Sequence, residues 1–182
     1  MNRSPLFRLV LGAAVLLAAA APARAQQRVA NEAELKAAFV YRIVLFVEWP
    51  AASPPAGAAF QICLQGSDPA WVAAFETLEG KKVQGRALAP LRPVARGDDL
   101  RSCQVLFVPE REHRKPVAAL PGLLTIGEAE AFAEAGGVVG FVRQGAQLRF
   151  DINRDAAAQA QLRLPTELLK VARTVIEGGG AR

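Results

Sequence analysis

The residues able to move protons, attack a bond or hold a metal are few and far apart. One histidine, His113, stands inside the run Glu110-Arg111-Glu112-His113-Arg114-Lys115. A triad built on it would need a positioned serine and acid, and no nucleophile-elbow pattern is present. A zinc centre would need three or four ligands, yet Cys63 and Cys103 stand 40 positions apart and neither CxxC nor HExxH occurs. His113 therefore reads as a solvated side chain in a charged run. No catalytic set, metal or cofactor is expected, and an enzyme is the weaker hypothesis.

The carboxylates read in the same way. Asp98 and Asp99 lie beside Arg96 and Arg101 in a polar stretch, a solvated turn. Asp151 and Asp155 bracket Asn153 and Arg154 where a strand meets a helix, and a carboxylate there usually caps backbone N–H groups. Gly66-Ser67-Asp68-Pro69 follows a strand and opens a helix, the place where layered α/β domains bind ligands. It lacks GxGxxG and GxxxxGK[ST], and Asp68 would repel a phosphate, so a helix cap is the plainer reading. Gly66, Ser67 and Asp68 remain the candidate ligand site of an alternative, small-molecule-binding function. Lys81, Lys82 and Arg86 cluster without interleaved aromatic residues on which bases could stack, which leaves a solvated edge.

Cys63 lies within Phe60-Gln61-Ile62-Cys63-Leu64-Gln65, its side chain opposite to Phe60, Ile62 and Leu64 by strand alternation. Cys103 opens Cys103-Gln104-Val105-Leu106-Phe107-Val108. Spacing alone leaves two readings open: two small buried hydrophobes that never meet, or one disulfide. If the two strands are parallel neighbours, a mid-strand and a strand-start cysteine could fall outside bonding distance.

The elements that would position these residues alternate. Asn31 caps a helix with Glu34 as its capping-box partner, and the apolar run from Leu35 stops at Pro50. Only Arg42 and Glu48 are charged between Ala37 and Trp49, so the helix is largely buried, and a part of it could meet a partner chain. Strands are expected at Phe60 to Gln65, Cys103 to Val108 and Leu123 to Ile126, with an irregular extended stretch from Lys82 to Val94. Helices are expected at Pro69 to Leu78, after Gly97, at Glu110 to Leu120, at Glu128 to Ala135, at Asp155 to Ala160 and from Thr166 to about Glu177. Val138 to Arg143 and Gln147 to Ile152 form a hairpin around Gly145. The fold class is α/β: a single layered domain with a mixed, mainly parallel sheet flanked by helices and a C-terminal β-hairpin.

At the amino terminus Arg3 and Arg8 precede an apolar or small run from Leu9 to Ala21, and Ala23-Arg24-Ala25 offers a cleavage site. The run of 13 residues is shorter than the ~20 that span a bilayer as a helix. Residues 1–25 thus read as a cleavable export signal and 26–182 as one exported domain, with its core at about 31–177. Losing three arginines lowers the formal charge from +5 to +2, which gives no reason to invoke nucleic acid.

Much of the chain resembles the YfiR-like family of bacterial periplasmic proteins. The resemblance rests on Lys36-Ala37-Ala38-Phe39-Val40-Tyr41 with Phe46-Val47-Glu48-Trp49-Pro50, and on Ile62-Cys63-Leu64-Gln65-Gly66-Ser67-Asp68-Pro69. Leu78 to Arg86, Cys103 to Val108, Leu124 to Gly127, Gly136 to Phe141, Leu148 to Asn153 and Leu168 to Arg173 extend it. It implies a non-enzymatic repressor that binds the periplasmic sensor region of an inner-membrane diguanylate cyclase, or another membrane sensor protein. It further implies sequestration by an OmpA-like outer-membrane lipoprotein, control of cyclic-di-GMP synthesis and biofilm growth, homodimers, and redox sensitivity. Carried over by position, Cys63 and Cys103 look like a family pair that forms a disulfide. The chain departs from some members in having no second cysteine pair after Cys103, and Leu164-Pro165-Thr166 stands where the family tends towards serines.

Overall fold

The computed structural model describes residues 32–51, 53, 57–112 and 119–178. A helix, α1, runs through residues 32–46, and its buried and exposed positions fall on opposite faces. Ala33, Ala37, Val40, Ile43 and Val44 are all at most 3% exposed and recur at helical spacing, which drives that face onto the sheet. The helix ends short of Pro50. Val47 is buried, Glu48 exchanges backbone hydrogen bonds with Arg163 at 3.0 Å each, and the Trp49 indole N–H donates to the Gly122 carbonyl at 3.0 Å. Proline biases its predecessor away from helical backbone, so these residues extend and tie the chain across to two distant segments. Asn31, the expected cap, lies outside the described residues.

The strands are β1 (Ile62–Gln65), β2 (Lys82–Val83), β3 (Arg86–Ala87), β4 (Arg92–Val94), β5 (Val105–Val108), β6 (Leu124–Gly127), β7 (Val139–Gln144), β8 (Gln147–Asn153) and β9 (Thr174–Ile176). Seven of them form one sheet in the order β4-β1-β5-β6-β7-β8-β9, while β2 and β3 pair apart as a short antiparallel ribbon. All neighbours in the large sheet are parallel except β7 and β8, the hairpin. The domain is therefore α/β, with a mixed and mainly parallel sheet and helices packed against it. Between β4 and β5 the chain crosses over β1, so the strand order reverses between β1 and β5.

Three short helices complete the layer: α2 (Pro69–Glu76), α3 (Arg154–Gln159) and α4 (Thr166–Val171). Ala74 and Phe75, Ala156 and Ala157, and Leu168 are their buried residues, and all join α1 in one large core cluster. Ile62 and Leu64, Val105 and Phe107, and Leu124 and Ile126 supply its sheet side. Alternation sends Cys63, Leu106 and Val108 to the opposite face, where they form a smaller cluster with Val94, Cys103, Leu123 and Phe132, against which Leu100 and Leu120 pack.

Three expected helices take other forms, and a fourth is described only in part. The residues after Gly97 make a turn in which the Asp98 carboxylate accepts from the Ala95 N–H. In the next segment Glu110–Glu112 form one 3-10 turn, and residues 113–118, with His113, lie outside the described residues. Residues 129–136 form successive turns, because Ala131 adopts φ +56° and breaks the helical path. The last helix stops at Val171, and Thr174–Ile176 instead pairs with β8 as the edge strand β9. Its chain is clamped there by Arg173, whose Nε donates to the Asp151 carboxylate at 2.8 Å.

Candidate functional site

A cleft of about 430 Å³ lined largely by charged residues lies between the described start of α1, the 129–136 turn and the β7–β8 hairpin. Helix α1 brings Lys36 to it from its buried face. Lys36 is 8% exposed, and its ammonium pairs with Glu32 one turn earlier at 2.7 Å and with Glu128, the residue that follows β6. Glu32 in turn pairs with Arg143 near the end of β7. The Trp71 ring of α2 lies 5.8 Å from the same ammonium, and that indole packs 4.5 Å from Phe107. One lysine thus links α1, α2, β6 and, through Glu32, β7.

The two carboxylates on Lys36 titrate in opposite directions. The Arg143 guanidinium, with Lys36, holds Glu32 well below the usual carboxylate range, at about 2. Burial pushes Glu128 up, only partly offset by its bond to Lys36 and by the Glu110 N–H. The difference follows from exposure: the Glu32 side chain is 36% exposed and that of Glu128 only 9%. Desolvation outweighs the ion pair at the buried member.

The segment Gly66-Ser67-Asp68 lies next to this cluster, at the carboxyl ends of β1 and β5, where the strand order reverses. A second cleft of about 200 Å³ opens there against Gly66, Asp68, Trp71, Glu110, Glu112 and Glu128. Asp68 caps α2, accepting from the Ala70 N–H at 2.9 Å, and Ser67 is exposed. Gly66 takes φ +83°, and a Cβ there would meet the Glu112 carboxyl at 3.0 Å. The wall is rich in carboxylates, which disfavours an anion.

Cys63 and Cys103 are joined by a disulfide with Cα atoms 5.8 Å apart, a separation within the range such bridges use. In the parallel register Cys63 faces Leu106, three residues beyond Cys103. Cys103 reaches it because it lies outside β5, in a turn where its N–H donates to the Leu100 carbonyl at 2.9 Å. Other residues singled out from sequence fall apart. At the β8–α3 junction the cap is Asn153, whose side chain accepts from Ala156 N–H at 2.8 Å, while Asp151 pairs with Arg173 and Asp155 accepts from Gly178 N–H. Lys81 sits over the Tyr41 ring at 5.3 Å. Among the described residues no group of three or more His, Cys, Asp or Glu is placed to hold a metal ion.

The face of α1 turned away from the sheet carries Leu35, Leu45 and Phe46, each 44–50% exposed. Ala38 and Arg42 lie on the same face. The helix is buried on one side and presents apolar side chains on the other, a surface of the kind that partner chains cover.

The charged hub escaped the sequence reading. Its signal was Lys36 itself: at helical spacing it shares the angle of Val40, Ile43 and Val47, the buried stripe, where a lysine requires an acid partner.

In comparisons with known proteins, the model of the YfiR/HmsC-like family matches residues 33–173. No curated protein matches the chain.

Proposed function

This chain belongs to the YfiR/HmsC-like family, and on that premise we propose that it is a periplasmic regulatory binding protein. It restrains an inner-membrane signalling enzyme, a diguanylate cyclase, by binding the periplasmic sensor region of that enzyme. The family match across nearly all of the described domain carries this reading. The exposed apolar face of α1 supports it, since a protein that acts by contact needs such a surface. No described helix is long and apolar enough to cross a membrane. Residues 1–25, outside the described residues, serve in this proposal as the cleaved export signal.

The family resemblance extends the proposal to sequestration by an OmpA-like lipoprotein, to homodimers and to redox control through Cys63–Cys103. The test is co-purification from membranes of cells that express the tagged protein. The expected outcome is recovery of a membrane protein with a cyclase output domain, and its loss on Phe46→Glu with thermal stability unchanged. Recovery of no signalling enzyme removes the proposal. The cleft beside Gly66, at the reversal between β1 and β5, supports a second reading as a small-molecule carrier or sensor. Native mass spectrometry of freshly purified protein separates the two, because a retained ligand favours the carrier.

A further inference from the structure

Lys36 ties α1 to the sheet through one charged link. Its two carboxylate partners come from different elements: Glu32 belongs to α1 itself, whereas Glu128 stands at the carboxyl end of β6. The second oxygen of Glu128 accepts from the Glu110 N–H beyond β5 at 3.4 Å. A proton on Glu128 therefore removes the carboxylate that links Lys36 to the sheet and leaves the link within α1 intact.

We propose that the Lys36–Glu128 ion pair is an acid-operated latch, in which proton uptake at Glu128 releases Lys36 from β6 while Glu32 keeps it on α1. The charged cleft then gains one net positive charge, and α1 loses this ion pair while its apolar face stays packed in the core. Burial and the Glu32 charge favour this protonation and Lys36 opposes it. Glu32 from α1, Glu110 after β5, Glu130 and Glu134 from the turn after β6, and Asp151 from β8 line one cleft, with Arg143 and Arg173 as its other cations. Asp68 at the head of α2 and Glu112 line the second cleft, with Arg111. Carboxylates outnumber cations around Glu128, and it is the member withdrawn from water.

The latch works inside the folded state because its two carboxylates titrate in separate windows. Burial raises Glu128 above its ordinary value of 4.5, so its ionisation opposes folding, and its contribution to stability is present at low pH and lost as pH rises through the raised value. Glu32 stays ionised down to about pH 2. Acidification into the interval between them switches Glu128 while Glu32 and Arg143 still hold the start of α1. The inference concerns the chain itself and stands whichever partner it serves.

Carbon-detected NMR of the side-chain carboxyls, followed with the indole signals across pH 7 to 2, tests the latch on the purified protein and on Glu128→Gln. The expected result is a Glu128 midpoint above 4.5, a Trp71 shift with the same midpoint, and loss of that Trp71 transition in Glu128→Gln. A Glu128 midpoint at or below 4.5, a Trp71 signal indifferent to this titration, or a Trp71 transition unchanged in the variant each overturns the proposal. The wild-type carboxyl titration decides the first of these without any variant having to fold.

Discussion

Glu32 and Glu128 show how one lysine can serve two acids on unequal terms. Both touch Lys36, but Glu32 also has Arg143 and access to water, whereas Glu128 is enclosed. A carboxylate whose native value is lowered stabilises the fold above its ordinary value and ceases to do so as pH falls through the lowered one. Glu32→Gln is accordingly expected to cost about 1 kcal/mol at pH 7, after allowance for solvent screening at this part-exposed group. The difference from wild type should shrink as pH falls from 4.5 towards about 2, which urea unfolding at a series of pH values measures. A constant difference across that range would assign the loss to packing and not to charge.

At the scale of elements, residues 129–136 form turns where the sequence suggests a helix. They bring Phe132 into the smaller core cluster, on the face of the sheet opposite to the described helices. The ring lies so close to Gly137 and Gly127 that a Cβ on either would stand 2.0 and 2.3 Å from it. Gly137→Ala should therefore destabilise by about 1–3 kcal/mol, the range for an overpacked core, with the loss visible in thermal unfolding. Paired with Phe132→Leu, the same substitution should cost clearly less, because the obstructing ring is gone. The segment Val47-Glu48-Trp49-Pro50, the most distinctive of the resemblance, is also a device of this scale. It ends α1 and fastens it to Arg163 and Gly122.

Across the whole molecule, the disulfide fastens the β5 approach to β1, the strand next to the edge strand β4. It closes a separation of 40 residues that contains α2, the β2–β3 ribbon and β4. Closing a loop of that length restricts the unfolded chain by about 4 kcal/mol in the chain-entropy account. Protein isolated without reductant should show no free thiol under denaturing conditions, and reduction should lower the urea midpoint by a corresponding amount. Two titratable thiols, or an unchanged midpoint after reduction, would rule the bridge out as a stabilising tie.

Periodicity, cysteine count and turn residues determined the broad outline from sequence alone: an alternating domain, a hairpin at Gly145, and the stretches that became β1, β5 and β6. These are local matters, since alternation of side chains and the freedom of glycine act over a few residues. Tertiary structure decided the rest. Residues 174–176 became a strand through their pairing with β8, more than 20 positions earlier, and residues 129–136 left the helical path at Ala131 as Phe132 packed against Gly127 and Gly137. The joining of Lys36 to Glu128 across 92 positions was beyond any spacing rule. An ion pair is a property of two points in space, and only the packing of α1 over the ends of the strands brings those points together.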